Sequence, residues 1–355
     1  MSEHSNKKRN VLTRRLFLVE GSVSAGTLLL NGFVTATSST TAIIGNEKFN
    51  AGDFTRLDVH FTSMGAELSG WLYQPKRQHF RPLVIMAHGY SATRHMTTDK
   101  YAEVFCSQGL AVLLYDHRGF GDSGGQPRHQ VNTWTQTQGY LDAAAFARKL
   151  PGIDPARIAL WGDSLSGGEA LVAASIDNQL AALVIQAPAL GSMLLPADVD
   201  GSAFQKMREI IVSGKADPDS KEDIEGPMPV VSDDPVRRPC ALHPLTAYRW
   251  FIEYGGRFGS GWVNDVSRAR PKTSVPWYPG HCAPHVTCPS LFMVSPQDEM
   301  PGAVPAVTRD AFEKIPSAKE WVDIEGGHFG LLYFPSAEFN HASSVQARFL
   351  SKHLL

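Results

Sequence analysis

Three polar residues follow predicted apolar strands in the chain order serine, acid, histidine. Ser164 stands at a tight turn between a predicted strand and a predicted helix. Asp298 and His328 each follow a later predicted strand, and His328 lies in a loop with glycines on both sides. A serine hydroxyl attacks an acyl carbon well only when a base takes its proton and an acid orients that base. We therefore predict Ser164 as nucleophile, His328 as base and Asp298 as acid.

The turn around Ser164 has the small residues that a nucleophile elbow needs. Gly162 precedes the serine by two positions, and the glycines at 167–168 follow it. Ser166 occupies a position where such turns usually have glycine. A turn of this kind presents the serine hydroxyl at the carboxyl edge of a sheet, where a substrate can reach it.

Two backbone amides are expected to stabilise the oxyanion. The N–H of Leu165 lies at the start of the predicted helix, where the helix dipole favours negative charge. The segment 88–90, His-Gly-Tyr, ends another predicted strand, and we expect the N–H of Tyr90 to be the second donor.

One choice within the site stays open at this point. Glu299 is adjacent to Asp298 in the same predicted turn, and it is the alternative acid. We expect Asp298 to orient the histidine because of its place in the turn.

A second cluster of chemically active side chains lies further along the chain. His281, Cys282, His285 and Cys288 fall within one short segment, but their spacing matches no familiar zinc signature. We therefore expect neither a metal nor another cofactor. In an exported protein, Cys240, Cys282 and Cys288 are candidates for disulfide pairing, and their connectivity cannot be read from sequence.

Strands and helices alternate through most of the chain. Predicted strands span 57–62, 67–73, 82–87, 110–115, 157–161, 181–186, 290–294 and 319–324, and predicted helices span 101–108, 134–150, 168–175 and 304–314. This alternation indicates an α/β fold with a mostly parallel central sheet, helices on both faces and an N-terminal hairpin. Ligands bind at the carboxyl ends of the strands in such folds, where the candidate site residues lie.

The predicted domain organisation has four parts. A signal and linker occupy 1–42, the first part of the core 50–189, a helical lid 190–285 and the second part of the core 286–355. Helices are predicted near 204–211 and 245–254 within the lid. Its many aromatic residues are consistent either with a substrate pocket or with the lid's own core.

The first forty residues have the order of an export signal. Basic residues at 7–9 and the pair Arg14-Arg15 precede a mildly apolar stretch and then small residues. The paired arginines resemble a twin-arginine signal, so we expect the export machinery as a partner and a periplasmic or extracellular protein without a stable membrane anchor. Cleavage is predicted after residue 36 or residue 42. The alternative is a basic disordered tail.

Composition excludes several other classes of protein. The 355 residues are 43% hydrophobic and 19% charged, with a formal net charge of −2, which is typical of a globular protein and not of a disordered chain. No block of basic residues follows the first fifteen, so a nucleic-acid partner is not expected. No uninterrupted apolar run is long enough for a polytopic membrane protein.

The motifs together resemble those of a known family. The segments that carry the resemblance are 88–90, 116–125, 154–168, 298–303 and 326–330. They are similar to bacterial α/β-hydrolases of the dienelactone-hydrolase and acetylxylan-esterase-like kind, and also to fungal polyketide acyltransferases. Many relatives have histidine where this chain has Glu169. The likeness covers roughly two-thirds of the mature chain and is weakest over 190–285.

The resemblance implies a serine esterase that acts on a small-molecule carboxylic ester through an acyl-enzyme. An acyltransferase with the same triad and an acceptor other than water is the first alternative. A catalytically silent binding module is the second.

Overall fold

The computed structural model describes residues 43–51, 54–76, 80–215 and 223–355, with side chains from residue 54 onward. The strands are β1 Ile43–Ala51, β2 Phe54–Ser63, β3 Ala66–Pro75, β4 Arg81–Ala87, β5 Ala111–Tyr115, β6 Gln130–Val131, β7 Ile153–Asp163, β8 Ala182–Gln186, β9 Ile224–Met228, β10 Val266–Ala269, β11 Ser290–Val294 and β12 Lys319–Asp323. The α-helices are α1 Thr98–Ser107, α2 Thr133–Ala147, α3 Leu165–Ile176, α4 Ser202–Ser213, α5 Leu245–Gly255, α6 Pro305–Lys314 and α7 Ala337–Leu354. Short 3-10 helices span Pro279–His281, Ala283–His285 and Gly330–Leu332. The predicted export signal lies outside the described residues.

One large sheet organises the molecule. Its strand order is β1-β2-β3-β5-β4-β7-β8-β11-β12. The strands from β5 to β12 in this order pair parallel, and β1, β2 and β3 add an antiparallel edge that pairs onto β5. The predicted mostly parallel sheet with an N-terminal hairpin is confirmed.

Two apolar cores cover the two faces of this sheet. Along β4, Leu83 and Ile85 pack into one core with α2 and α3, while Val84 and Met86 pack into the other with α1 and α7. Successive side chains of a strand point to opposite faces, so a continuous apolar run means burial on both sides. The predicted helices on both faces are thereby confirmed.

The segment 190–285 differs in part from its prediction. Helices α4 and α5 confirm the two predicted helices, but β9 and β10 also lie here and join β6 in a separate three-stranded sheet. Strand β9 has the sequence Ile-Glu-Gly-Pro-Met and is largely exposed. It lacks the alternation of apolar and polar residues by which strands are recognised, so the pattern did not indicate it.

Helix α7 was not predicted from the sequence. It packs its apolar face against the core beside α1.

Among the described residues, no helix is long and apolar enough to cross a membrane.

Candidate active site

The nucleophile elbow lies between β7 and α3. Ser164 has φ 53° and ψ −118°, a left-handed conformation that a side chain rarely adopts. A Cβ at Gly162 would lie 2.1 Å from the carbonyl oxygen of Ser166, so only glycine permits this turn. Backbone bonds from Ser164 N to Gln186 O and from Ala189 N to Ser164 O, at 3.0 and 2.8 Å, hold the strained residue in place.

The structure brings the three predicted catalytic residues together. Ser164 Oγ lies 2.8 Å from His328 Nε2, and His328 Nδ1 lies 2.7 Å from Asp298 Oδ2. The side chains of His328 and Asp298 are only 3% and 2% exposed. With Nδ1–H donating to the carboxylate, Nε2 is free to accept the serine proton, which is the arrangement that activates a serine.

The two adjacent acids hold different atoms of the same histidine. Asp298 bonds to the imidazole ring, and its Oδ1 also accepts the backbone N–H of Met300 at 2.9 Å. Glu299 accepts the backbone N–H of His328 at 2.8 Å, and it also accepts the hydroxyl of Thr246. Of the two acids that the sequence left open, Asp298 therefore has the geometry that orients the base.

Several carboxylates act on the protonation of His328. Burial lowers the pKa of this histidine, but the hydrogen bond and charge of Asp298, with the charges of Asp163 and Glu299, more than offset burial. The pKa of His328 is consequently raised above its usual value. A base of this kind accepts the serine proton readily.

Sequence reasoning missed a buried polar chain behind the nucleophile. Gln186 Nε2 donates to Asp163 Oδ1 at 2.8 Å, and Gln346 Nε2 donates to Gln186 Oε1 at 2.6 Å. Gln346 Oε1 accepts the indole N–H of Trp161 at 2.7 Å. Burial raises the pKa of Asp163 to about 6. Its position next to Ser164 was visible in the sequence, but its partners lie far along the chain.

The two predicted oxyanion donors lie on either side of the nucleophile. Leu165 is the first residue of α3, and Tyr90 lies in the loop after β4. Within the described part of the chain, neither backbone N–H has an acceptor. A Cβ at Gly89 would lie 3.0 Å from the Cβ of Ser164, so glycine lets this loop approach the elbow closely. Both amides are thus available to an oxygen atom of a ligand.

A buried network connects the two segments that carry these amides. Ser166 Oγ donates to the carbonyl of His88 at 2.5 Å. The same oxygen lies 2.8 Å from His117 Nε2 and 3.0 Å from Glu169 Oε2. Burial raises the pKa of Glu169 to about 8 and lowers that of His117 well below its usual value, so burial favours the neutral form of both side chains. Sequence reasoning noted Glu169 only as a departure from its relatives.

A cavity of about 450 Å³ opens beside Ser164 and His328. The lining is mostly apolar, and Trp250, Phe251, Trp277 and Tyr278 are among the aromatic residues that form it. Phe258, another aromatic residue of 190–285, is fully exposed. The aromatic residues of 190–285 therefore divide between the pocket and the rest of that segment. A cavity of this size and character fits a small organic molecule.

The histidines and cysteines of 281–288 are not arranged around a common point. His281 Nε2 bonds to the carbonyl of Pro196 at 3.1 Å, and the ring of His285 stacks on Phe204 at 3.7 Å. Among the described residues, no group of three or more His, Cys, Asp or Glu could hold a metal ion. All four cysteines are buried free thiols, so the disulfide considered from sequence is not formed.

The chain is similar to several known proteins. The family model described as "Hydrolase_4: Serine aminopeptidase, S33" matches residues 78–254. The "Quorum-quenching protein AidA" of Acinetobacter baumannii (strain MDR-ZJ06) is 31% identical over 275 residues, which are 77% of this chain and 88% of that protein. The "Polyketide transferase grgF" of Penicillium sp is 27% identical over 86% of this chain and 99% of its own. Among solved structures, the acetyl xylan esterase from Paenibacillus sp. R4 has a TM-score of 0.55 at 18% identity, covering 89% of this chain and 90% of its own.

The sheet is mostly parallel and carries a nucleophile elbow. The chain is also similar to these relatives over most of their length. These observations identify its family. This chain belongs to the α/β-hydrolase family of serine hydrolases.

Proposed function

We propose that this protein cleaves carboxylic esters of small molecules through an acyl-enzyme. The observation that carries the proposal is the hydrogen-bonded series Ser164–His328–Asp298 at the wall of an apolar cavity. The resemblance to esterases of the same fold is consistent with it.

The positions of the polar atoms support a reaction in two stages. Ser164 Oγ attacks the acyl carbon while His328 Nε2 takes the hydroxyl proton, and Asp298 stabilises the imidazolium. The N–H groups of Leu165 and Tyr90 bind the oxyanion. Collapse of the tetrahedral intermediate breaks the ester bond, and His328 gives its proton to the leaving alkoxide. Water then attacks the acyl-enzyme with His328 as base, which releases the acid and regenerates Ser164. No cofactor takes part in these steps.

A covalent probe tests the proposal directly. The purified protein and Ser164→Ala are exposed to a fluorophosphonate, and their intact masses are measured. We expect one adduct on the wild type and none on Ser164→Ala. Ser192→Ala, which removes another serine from the cavity wall, should keep the adduct. Ester hydrolysis retained by folded Ser164→Ala would overturn the proposal.

Acyl transfer is a second candidate, favoured by the 27% identity to a polyketide transferase over nearly the whole of that relative. In this reaction an alcohol or amine replaces water at the acyl-enzyme. Product analysis with added alcohols and amines distinguishes the two, because a transferase gives the new ester or amide in preference to the free acid. A silent binding module would give no probe adduct at all.

We also propose that residues 1–42 direct export through the twin-arginine machinery, on the order of their basic, apolar and small residues. Fusion of this segment to a reporter protein in a bacterium tests it. Export that persists after replacement of both Arg14 and Arg15 by lysine would contradict it.

A further inference from the structure

The small sheet β6–β10–β9 contributes charged residues to an otherwise apolar cavity. Glu225 of β9 and Arg268 and Arg270 of β10 line the same space as Ser164. Arg268 lies opposite Glu225 in the antiparallel register of the two strands. Charged side chains therefore line this wall of the cavity.

The acidic groups of this wall are already paired. The guanidinium of Arg270 forms an ion pair and hydrogen bond with Glu225. The ammonium of Lys272 lies 3.6 Å from the carboxylate of Asp223. By contrast, the side chain of Arg268 has no hydrogen bond or ion pair with any residue that the structure describes. The wall thus presents one cation whose charge is not neutralised by a direct contact.

Arg268 lines the same cavity as Tyr90 of the oxyanion loop. Burial raises the pKa of the Tyr90 hydroxyl to about 12, and the charge of Arg268 is the first influence that opposes burial. Tyr90 also lines the cavity and supplies one of the two candidate oxyanion amides. Ser164, Tyr90 and Arg268 therefore line one cavity, and a molecule that fills it can contact all three.

We propose that Arg268 binds an anionic group of the substrate, so that the preferred substrates are esters that also carry a carboxylate or phosphate. This inference rests on the proposed ester hydrolysis. A guanidinium has a planar fork of N–H donors that matches both anions, and such pairs combine charge with two hydrogen bonds. The apolar lining holds the carbon skeleton between the two polar ends of the cavity.

Matched pairs of esters test the proposal. On the acyl side, mono-4-nitrophenyl glutarate is compared with 4-nitrophenyl pentanoate, and on the alcohol side 4-acetoxybenzoate is compared with 4-acetoxybenzamide. The quantity measured is the ratio of kcat/KM for the anionic ester to that for its neutral partner. We expect the wild type to favour the anionic ester in one arm, which identifies the side of the substrate that carries the charge.

Three variants then test whether Arg268 causes the preference for anionic esters. Arg268→Gln should lower the ratio by about tenfold, since a charged hydrogen bond to a partly exposed group is being removed. Glu225→Gln should raise the ratio, because it removes the carboxylate opposite Arg268. Arg237→Gln, which makes the same charge change at an exposed position outside the cavity, should not alter the ratio.

Each outcome has a defined meaning. A wild type that hydrolyses the neutral esters with a ratio near one in both arms, or a ratio that Arg268→Gln does not change, overturns this inference and leaves the proposed esterase activity standing. A folded wild type that hydrolyses none of the four esters and forms no fluorophosphonate adduct overturns the proposed function, and this inference with it.

Discussion

The carboxylate of Glu299 accepts a hydrogen bond from the backbone N–H of His328 at 2.8 Å, across 29 positions of the chain. Gly327 has φ 67°, which a side chain rarely adopts, and a Cβ there would lie 2.5 Å from the same carboxylate, so the loop that carries the histidine favours glycine. Asp298, the preceding residue, reaches the imidazole ring itself. Two consecutive acids therefore fix one histidine, one through its backbone and the other through its ring.

Because Asp298 and Glu299 bond to different atoms of His328, we predict that substitutions at these two positions reduce kcat by different amounts. Asp298→Asn should reduce kcat by roughly 10³-fold or more, because an amide neither selects the productive tautomer nor stabilises the imidazolium. Glu299→Gln should reduce kcat less than about tenfold, because its amide oxygen still accepts the His328 N–H. Steady-state kinetics on a neutral 4-nitrophenyl ester measures both. The opposite ranking would transfer the role of the acid to Glu299.

The carboxylates around His328 also predict the pH dependence of activity. His328 accepts a proton only when neutral, so activity is lost as pH falls through its pKa, which lies above the usual 6.5. Glu299→Gln removes one of the negative charges that raise this pKa, so the acidic limb of kcat/KM should move to lower pH. An acidic limb with its midpoint at or below 6.5 in the wild type would contradict the prediction.

Buried Glu169 predicts a decline of stability with rising pH. Its pKa rises from 4.5 to about 8 on folding, so between these values the folded state keeps a proton that the unfolded state releases. Stability therefore falls as pH rises from about 4.5 to about 8 and is then constant with respect to this group. Glu169→Gln has no such proton, so its stability relative to the wild type should increase over this range, by roughly 4 kcal/mol for a pKa that rises from 4.5 to about 8.

Urea unfolding at pH 5, 6.5 and 8 measures this difference. Glu313→Gln, at an exposed position of α6, is the matched control and should follow the wild type at all three values. A constant difference between Glu169→Gln and the wild type across the series would show that Glu169 is ionised in the folded protein.

The local parts of the site could be predicted from the sequence. Small residues within a few positions of Ser164 predict the elbow. Apolar runs that alternate with helices predict the parallel sheet. The sequence favoured Asp298 over Glu299 through its place in the turn, and the bond from Asp298 to the imidazole agrees with that choice. The role of Glu299 could not be predicted, because it depends on how the turn after β11 directs its carboxylate towards the backbone of His328.

Contacts between distant segments were also beyond sequence reasoning. The bonds among Ser166, His88, His117 and Glu169 join three different strand ends, and no periodicity records them. Arg268 lies on β10, which pairs with β6 on one side and with the irregular strand β9 on the other. Contacts between side chains of distant segments can be recognised only when the order of the strands in the sheet is known.

The close approach of the β4 loop to the elbow gives the last prediction. A Cβ at Gly89 would lie 3.0 Å from Ser164 Cβ and 3.1 Å from Asp163 Oδ2, tighter than most real contacts. Gly89→Ala should therefore push the Tyr90 amide away from the oxyanion and reduce kcat by about 10²-fold, as loss of an oxyanion donor does. Gly139→Ala, in α2, is the control. Its Cβ would meet no atom of another element closer than the Tyr115 hydroxyl at 3.5 Å, so activity should be unchanged and the helix stabilised by up to about 1 kcal/mol. Steady-state kinetics and thermal unfolding of both variants measure these effects. If Gly89→Ala kept full kcat while folded, the Tyr90 amide would not be an oxyanion donor, and the role would pass to Leu165 alone.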